Sequence, residues 1–333
     1  MTLPTRTIGP FSVSAIGLGC MSMSHAFGPP PPREQSRATL LRALELGCTF
    51  FDTAAIYGAG HNEELVAEVL GPHRAQFTLA SKCGLFVTPG GGREINGRPE
   101  TLKATLEDSL RRLKTEVIDL YYLHRWDKRV PVEESVGALK DMVQAGKVRS
   151  IGLSEVSAAT LRKAHAVHPI AALQSEYSPW SRNAELGTLA ACAELGVAYV
   201  AFSPVARGFL AGGVKDMEAL AAGDIRRGMP RFQGENFAAN LELFDAFAAI
   251  AKEAGCTPAQ LCLAWLLAKA PHIVPIPGTT RVDHLEEDFA ALDVRLSPEV
   301  IARVDTTVNQ ATVRGNRYGD AMEQSVDTER FAA

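Results

Sequence analysis

The sequence predicts an α/β fold, a (β/α)8 barrel, and three observations predict it. Eight short apolar, β-rich runs recur along the 333 residues, stretches with helical periodicity separate most of them, and several of these stretches end at a glycine. Parallel strands covered by helices on both faces read as nearly continuous apolar runs. Alternating strands and helices also fit an open doubly wound sheet, but the count of eight favours closure into a barrel.

The elements follow in order from these patterns. The predicted strands are 15–20, 49–53, 77–81, 117–123, 148–153, 171–174, 197–202 and 272–276, and the predicted helices include 35–46, 63–70, 99–113, 132–145, 158–167 and 185–195. Helix ends are expected at Gly47, Gly71, Gly146, Gly196 and Gly255, because glycine readily adopts the left-handed conformation that closes a helix.

Four further segments complete the prediction. Residues 5–13, with Gly9-Pro10 in the middle, predict a hairpin before the barrel. Residues 83–98 and 204–236 are long loops after the third and seventh strands, on the face where barrel active sites lie. Ser297-Pro298 begins a terminal helix. We expect one barrel domain over 1–310 and a C-terminal tail over 311–333, which covers the pocket, meets a partner or is disordered.

Composition excludes several classes of function. The chain has 34 basic and 38 acidic residues, a formal charge of −4, and no basic block typical of nucleic-acid binding. No apolar run approaches the roughly 20 residues of a membrane span, so we expect a soluble cytoplasmic protein. The six cysteines are scattered, with Cys83 the only candidate for a reactive thiol. His165 and His168 lack partners for a metal, and no metal site is expected.

Four polar residues stand at or just beyond the carboxyl ends of three predicted strands: Asp52, Tyr57, Lys82 and His124. Buried charges are costly unless they are paired, so these side chains are expected to meet. An ammonium group lowers the pKa of a nearby phenol from about 10, and a histidine orients a carbonyl or assists proton movement. The alternative is a structural Asp52–Lys82 salt bridge with two incidental polar residues.

The loops after the seventh and eighth strands predict a phosphate site. Ser203, Gly278, Thr279 and Thr280 offer donors at a helix start, and Arg281 suits a 2′-phosphate. Helix capping is the alternative role of the two threonines.

Several motifs together resemble the aldo-keto reductases over nearly the whole chain. They are DTAAIYG at 52–58, NEEL at 62–65, DLYY at 119–122, GKVR at 146–149 and IPGTT at 276–280. His124-Arg125 and PRFQGEN at 230–236 are similar to the branch that contains plant perakine reductase and its bacterial relatives.

The resemblance implies NADPH-dependent reduction of aldehydes or ketones to alcohols. Tyr57 would be the general acid, Lys82 and Asp52 would tune it, and His124 would position the carbonyl. The implied cofactor-binding residues are Ser154 and Gln174 at the carboxamide, Phe202 on the nicotinamide, Ser203, Pro204, Arg207, Gly278, Thr279, Thr280 and Arg281 along the phosphates, and Glu287 with Asp288 at the adenine. The substrate pocket would draw on Met21, Phe27, Phe86 and Trp126, with Trp180 as readily a packing residue.

Three residues depart from the pattern of better-known members: Phe202 stands where tyrosine is common, Asp288 stands where asparagine is usual, and Glu155 also replaces an asparagine. Two other functions stay open. One is a regulatory or redox-sensing subunit that binds the cofactor and turns over weakly; the other is a lyase that uses Lys82 as a Schiff base. A small carbonyl compound is the expected partner, and the oligomeric state stays open.

Overall fold

The computed structural model describes residues 3–88 and 90–331. Residues 1–2 and 332–333, at the ends of the predicted barrel domain and tail, lie outside the described residues, as does residue 89 in the predicted loop after the third barrel strand. The strands are β1 Thr5–Ile8, β2 Phe11–Ser14, β3 Leu18–Gly19, β4 Phe50–Asp52, β5 Thr78–Cys83, β6 Leu85–Val87, β7 Arg93–Ile95, β8 Ile118–Leu123, β9 Val148–Ser154, β10 Ile170–Glu176, β11 Ala198–Phe202 and β12 Ile273–Ile276.

Eight parallel strands form the barrel in the order β3, β4, β5, β8, β9, β10, β11, β12. Backbone bonds of 3.0 Å from Gly17 N–H to Pro275 O and from Gly19 N–H to Pro277 O bring the first strand beside the last. The predicted (β/α)8 barrel is therefore confirmed. Only two of the six residues predicted for the first strand pair in the sheet. Gly17 lies against Phe50 so closely that a Cβ would be 2.6 Å from its ring.

The helices are α1 Arg33–Glu45, α2 His61–Leu70, α3 Pro99–Leu113, α4 Val132–Gln144, α5 Ala158–Val167, α6 Thr188–Leu195, α7 Gly234–Glu253, α8 Pro258–Lys269, α9 Val282–Ala290, α10 Pro298–Thr307 and α11 Asp320–Glu323. The predicted helix 185–195 is divided by Gly187 into a 3-10 turn and α6. Positive φ angles end α1, α4, α6 and α7 at glycines, as predicted. Gly71 is different, because its φ of −52° continues the chain into a 3-10 turn.

The barrel interior is a separate apolar cluster that includes Phe50, Leu120, Tyr122 and Val200. The β1–β2 hairpin forms as predicted, and it adds Ile8 to this cluster. It therefore covers the amino-terminal ends of the strands, and the polar strand ends open at the opposite face. The long loop after β5 contains a second hairpin, β6–β7. No helix in the described part of the chain is long and apolar enough to cross a membrane.

The tail after α10 folds back across the barrel. Asp327 accepts hydrogen bonds from the Ser157 backbone N–H at 3.2 Å and the Thr160 hydroxyl at 2.7 Å, at the start of α5. Lys128 donates to the carbonyl oxygens of Gln324 and Val326 at 3.0 and 2.8 Å. These contacts fix the described part of the tail beside the carboxyl-terminal face of the barrel. The division at residue 310 stays a prediction.

Candidate active site

The four polar residues at the strand ends come together at the carboxyl-terminal face. Lys82 Nζ donates to Asp52 Oδ1 at 2.5 Å, to Thr53 O at 2.8 Å and to the Tyr57 hydroxyl at 3.2 Å. The His124 ring makes an edge contact with the Tyr57 ring, with centroids 5.8 Å apart. All four side chains are buried. The four side chains therefore lie together, as the cost of burying unpaired charges predicts.

Lys82 is held as an ammonium. Burial lowers its pKa, but Asp52 and Tyr57 outweigh burial, and the pKa is raised overall. Burial raises the pKa of Asp52 against the opposing effects of Lys82 and Gln174. We describe Asp52 and Lys82 as an ion pair, because both carboxylate oxygens accept hydrogen bonds, the second one from Gln174 Nε2 at 2.7 Å. A Schiff base needs a neutral amine, so this arrangement does not favour the lyase alternative.

The pKa of Tyr57 is raised, not lowered as the sequence argument expected. Burial of the phenol is the largest cause, and the Lys82 ammonium offsets only part of it. The reason for the error is that the sequence shows the neighbouring cation but not the extent of burial, and Tyr57 is only 8% exposed. The phenol is therefore kept protonated, while Lys82 stands ready to stabilise a phenolate once the proton has left.

His124 is neutral at ordinary pH. Burial lowers its pKa well below the usual value, and Arg125, Lys82 and Arg93 add to the effect. Its Nδ1 atom has no hydrogen-bond partner in residues 3–88 and 90–331. A neutral imidazole can donate a hydrogen bond to a carbonyl oxygen without bringing a second positive charge beside Lys82.

The loop that carries Tyr57 is fixed by the residues of the DTAAIYG and NEEL motifs. Gly58 adopts a φ of 57°, and a Cβ there would be 3.1 Å from Ser24 Cβ. Asn62 accepts from the Thr53 hydroxyl at 2.6 Å and donates to Cys20 O at 2.8 Å. Both motifs therefore hold the Tyr57 loop against the end of β4.

A cavity of about 680 Å³ opens above this cluster. Among the predicted catalytic and substrate residues, Asp52, Tyr57, His124, Met21 and Phe27 line it. So do all of the predicted cofactor residues: Ser154, Gln174, Phe202, Ser203, Pro204, Arg207, Gly278, Thr279, Thr280, Arg281, Glu287 and Asp288. The structure thus gathers residues from seven strand ends, the loop after β11 and helix α9 around one space.

Two predicted pocket residues lie elsewhere. Leu85 lines the cavity and Phe86 does not, because successive residues of β6 face opposite sides. Trp126 packs on the main core, and its indole N–H donates to Val130 O at 2.9 Å. Trp180 also lies outside the lining, stacked 4.2 Å from Phe209.

Arginines of the loop after β11 are paired or buried in the fold. Arg207 donates to Glu176 at 2.5 Å and Arg226 to Asp224 at 2.6 Å. Arg231 donates to Trp180 O at 2.7 Å, and burial lowers its pKa to about 10. The partners of Arg207 and Arg231 come from other parts of the fold, whereas Asp224 lies two residues from Arg226.

Several residues of the cavity wall were not predicted as site residues. Arg125 follows His124 at the end of β8, and that position was a signal in the sequence. Arg93 and Leu85 come from the β6–β7 hairpin. Tyr318 and Met322 come from the tail, where no periodicity or motif marks them. The tail therefore supplies part of the wall.

Asp288 differs from the other carboxylates of the site. It is 6% exposed on helix α9, and burial raises its pKa to about 8, with Glu287 adding to the effect. Its side chain has no hydrogen-bond partner within the described residues. By contrast, Arg281 at the start of α9 is paired with Asp283, with Nε to Oδ1 at 3.0 Å.

The thiols fit the expectation of reduced core cysteines. Burial raises the pKa of Cys83 to about 12, so the neighbouring Lys82 does not activate it. Within residues 3–88 and 90–331, no group of three or more histidine, cysteine, aspartate or glutamate side chains is placed to hold a metal ion.

Comparison with known proteins agrees with this architecture. Residues 15–309 match the model of the aldo/keto reductase family. A curated NADP(+) aldo-keto reductase of Schizosaccharomyces pombe, yakc, is 45% identical over 324 residues, which cover 96% of this chain and 95% of that protein.

Solved structures are similar over most of their length. The glycerol dehydrogenase of Gluconobacter oxydans superposes with a TM-score of 0.84 at 26% identity, covering 95% of this chain and 98% of that chain. An aldo/keto reductase of Klebsiella pneumoniae, solved with NADP and acetate, has a TM-score of 0.71 at 28% identity, covering 96% of this chain and 99% of that chain.

Proposed function

We propose that this chain, which belongs to the aldo/keto reductase family and is an NADP-dependent enzyme, reduces aldehydes or ketones to alcohols with Tyr57 as the general acid. The single observation that carries the assignment of Tyr57 is the 3.2 Å contact between its hydroxyl and the Lys82 ammonium at the wall of the cavity. A structural Asp52–Lys82 pair alone would not require a phenol at this place.

The residues of the cavity fit an NADP molecule. Gly278 lines the cavity and packs against the neighbouring strand β3, where a Cβ would lie 3.2 Å from Gly19 O, so a side chain is not readily accommodated there. The first N–H groups of helix α9 lack intrahelical partners and suit a phosphate, with Thr279 and Thr280 beside them. We assign the phosphates to this helix start and the nicotinamide end to the half-buried Phe202.

NADPH, held by these residues, would supply the hydride for the carbonyl carbon. Tyr57 gives its proton to the carbonyl oxygen, on which negative charge develops as the C–H bond forms. His124 donates a hydrogen bond to the same oxygen. These donors act more strongly on the alkoxide-like transition state than on the neutral carbonyl, and they accelerate the reaction for that reason.

Lys82 and Asp52 set the state of Tyr57. Tyr57 must be protonated before the reaction, and its raised pKa favours this state. After it has given up the proton, it must be stabilised as a phenolate. The ammonium at 3.2 Å stabilises that phenolate, and Asp52 keeps the ammonium in place.

Replacing Tyr57 by phenylalanine tests the proposal. Loss of a positioned general acid lowers rates by roughly 10²- to 10⁴-fold, so we expect kcat for an aromatic aldehyde to fall by about 10³-fold. The dissociation constant of NADPH, measured by fluorescence titration, should stay within about twofold. The matched control is Tyr199→Phe, a buried phenol on β11 whose hydroxyl has no partner in the described part of the chain.

Steady turnover of the parent protein separates this function from its alternative. A cofactor-binding regulatory subunit would oxidise NADPH only slowly with every aldehyde or ketone offered, and Tyr57→Phe would then change little. A screen of carbonyl compounds with NADPH and NADH measures turnover and cofactor preference together. An unchanged kcat in Tyr57→Phe would refute its assigned role.

A further inference from the structure

Five arginines line the cavity, and they differ in whether a carboxylate neutralises them. Three are paired within the protein: Arg207 with Glu176, Arg226 with Asp224 and Arg281 with Asp283. For Arg93 and Arg125, no carboxylate of residues 3–88 and 90–331 lies within 4.0 Å. The cavity therefore holds two positive charges that the described protein does not balance.

Both unbalanced arginines lie at the carbonyl end of the cavity. Arg125 follows His124, and its Nη1 donates to His124 O at 2.6 Å and to the Ser154 hydroxyl at 3.2 Å. Arg93 reaches across from the β6–β7 hairpin, with Nη2 3.2 Å from His25 Nε2. Burial is the main cause of the lowered pKa of His124, and the positive charges of both arginines add to it, so both act on the place where the carbonyl is expected.

The surroundings of Arg125 favour an anion as its partner. The side chain is half-buried, and its hydrogen-bond partners within the described residues are a carbonyl and a hydroxyl, which leave its charge uncompensated. A guanidinium binds a carboxylate through two parallel hydrogen bonds, which are stronger than bonds between neutral groups. Lys82, a further cation near the carbonyl, is already neutralised by Asp52.

We propose that the enzyme prefers carbonyl substrates that carry a carboxylate, and that Arg125, assisted by Arg93, binds this group beside His124. This inference rests on the proposed function, since it names the substrate class of the same site. The exposed Arg93 attracts the anion and contributes less than the half-buried Arg125.

The test compares two aldehydes of similar shape and different charge, 4-carboxybenzaldehyde and methyl 4-formylbenzoate. The measured quantity is the ratio of their kcat/KM values with saturating NADPH in the full-length enzyme. We expect a ratio above 1 in the parent protein and at least a tenfold lower ratio in Arg125→Gln, which corresponds to about 1.4 kcal/mol. Arg93→Gln should lower the ratio by about threefold, and Arg125→Lys should retain part of the preference.

Two controls address charge and folding. Arg111→Gln removes an exposed arginine of α3 and should leave the ratio unchanged. Added salt should lower the ratio in the parent protein itself, so the proposal stays testable if Arg125→Gln fails to fold. A tenfold weaker NADPH affinity in Arg125→Gln with an unchanged ratio would assign the residue to the cofactor and overturn the proposal.

A binding measurement separates this inference from the proposed function. Calorimetry on the protein saturated with NADP+ compares benzoate with benzamide, and Arg125→Gln should abolish the preference for benzoate. Turnover of both aldehydes with no dependence of the ratio on Arg125 or salt would refute the acid site and leave the reductase. A benzoate preference that depends on Arg125, in a protein that turns over neither aldehyde, would support the acid site and refute the reductase.

Discussion

Arg317→Met is expected to destabilise the protein strongly, although Arg317 lies in the tail. Its guanidinium donates to both oxygens of Glu155, at 3.1 and 2.5 Å. The side chains are only 5% and 0% exposed, and the two residues are 162 positions apart. This pair therefore fixes the tail to the end of β9.

The expected loss follows from the burial of the carboxylate. Removing one partner of a buried ion pair costs about 3–5 kcal/mol, because the remaining charge is buried without compensation. Glu155 would keep the Glu176 backbone N–H, which donates to it at 3.0 Å, so we take the lower end, about 3 kcal/mol. The exposed pair of Arg303 and Glu253 has the same closest distance, 2.5 Å, and Arg303→Met should cost far less than Arg317→Met, because water solvates the charge that remains.

Urea unfolding of the full-length protein, followed by tryptophan fluorescence, measures both losses. Glu155→Gln and the double variant complete a thermodynamic cycle. We expect the double variant to be more stable than the sum of the single losses predicts, by at least about 1 kcal/mol, since the second substitution removes the stranded partner. If Arg317→Met cost no more than Arg303→Met, burial would not be what gives this pair its strength.

The remaining predictions concern pH and packing. Asp288 has a pKa of about 8 in the folded protein and an ordinary value of 3.8, so the folded state binds the extra proton between these values and stability falls as pH rises through them. Asp288→Asn removes this loss, so the variant should gain more unfolding free energy over the parent protein at pH 8 than at pH 5. The difference should change by at most about 1.4 kcal/mol per pH unit. Equal gains at the two pH values would contradict the raised pKa of Asp288. Gly152→Ala would place a Cβ 2.5 Å from the Tyr122 ring and 2.8 Å from Ala172 O, and should cost about 2 kcal/mol or more in urea unfolding. Gly137→Ala in α4 meets nothing within 4 Å and should instead add about 0.5–1 kcal/mol.

The barrel and the central cluster were predictable because both depend on local patterns. An apolar run shows a buried strand, and an ionisable residue at its end shows where the strand meets the site. Since all barrel strands run parallel, the end of each lies on the same face. Asp52, Lys82 and His124 could therefore be brought together without knowing any distance.

The sequence did not show how burial and neighbouring charges combine to set the pKa of a side chain. It showed that Lys82 would lie near Tyr57 and so predicted a lowered pKa, but it gave no measure of how completely the phenol is buried. Similarly, Phe86 was assigned to the pocket from its type, and only the pairing of β6 with β7 shows that Leu85 faces inward. Both errors concern the side-chain environment, which depends on packing between distant segments.

The charge of the cavity depends in part on such a distant pairing, and for this reason the proposed preference for acidic substrates could not be read from the sequence. Arg207 and Arg125 occupy similar positions in the sequence, since each follows a barrel strand within a few residues. In the fold, Glu176 at the end of β10 neutralises Arg207, and no described carboxylate reaches Arg125. An arginine whose charge is balanced contributes to stability, whereas one left unbalanced in a cavity attracts an anionic ligand. The proposed specificity of the site thus follows from which cations the described part of the folded chain leaves without an internal partner.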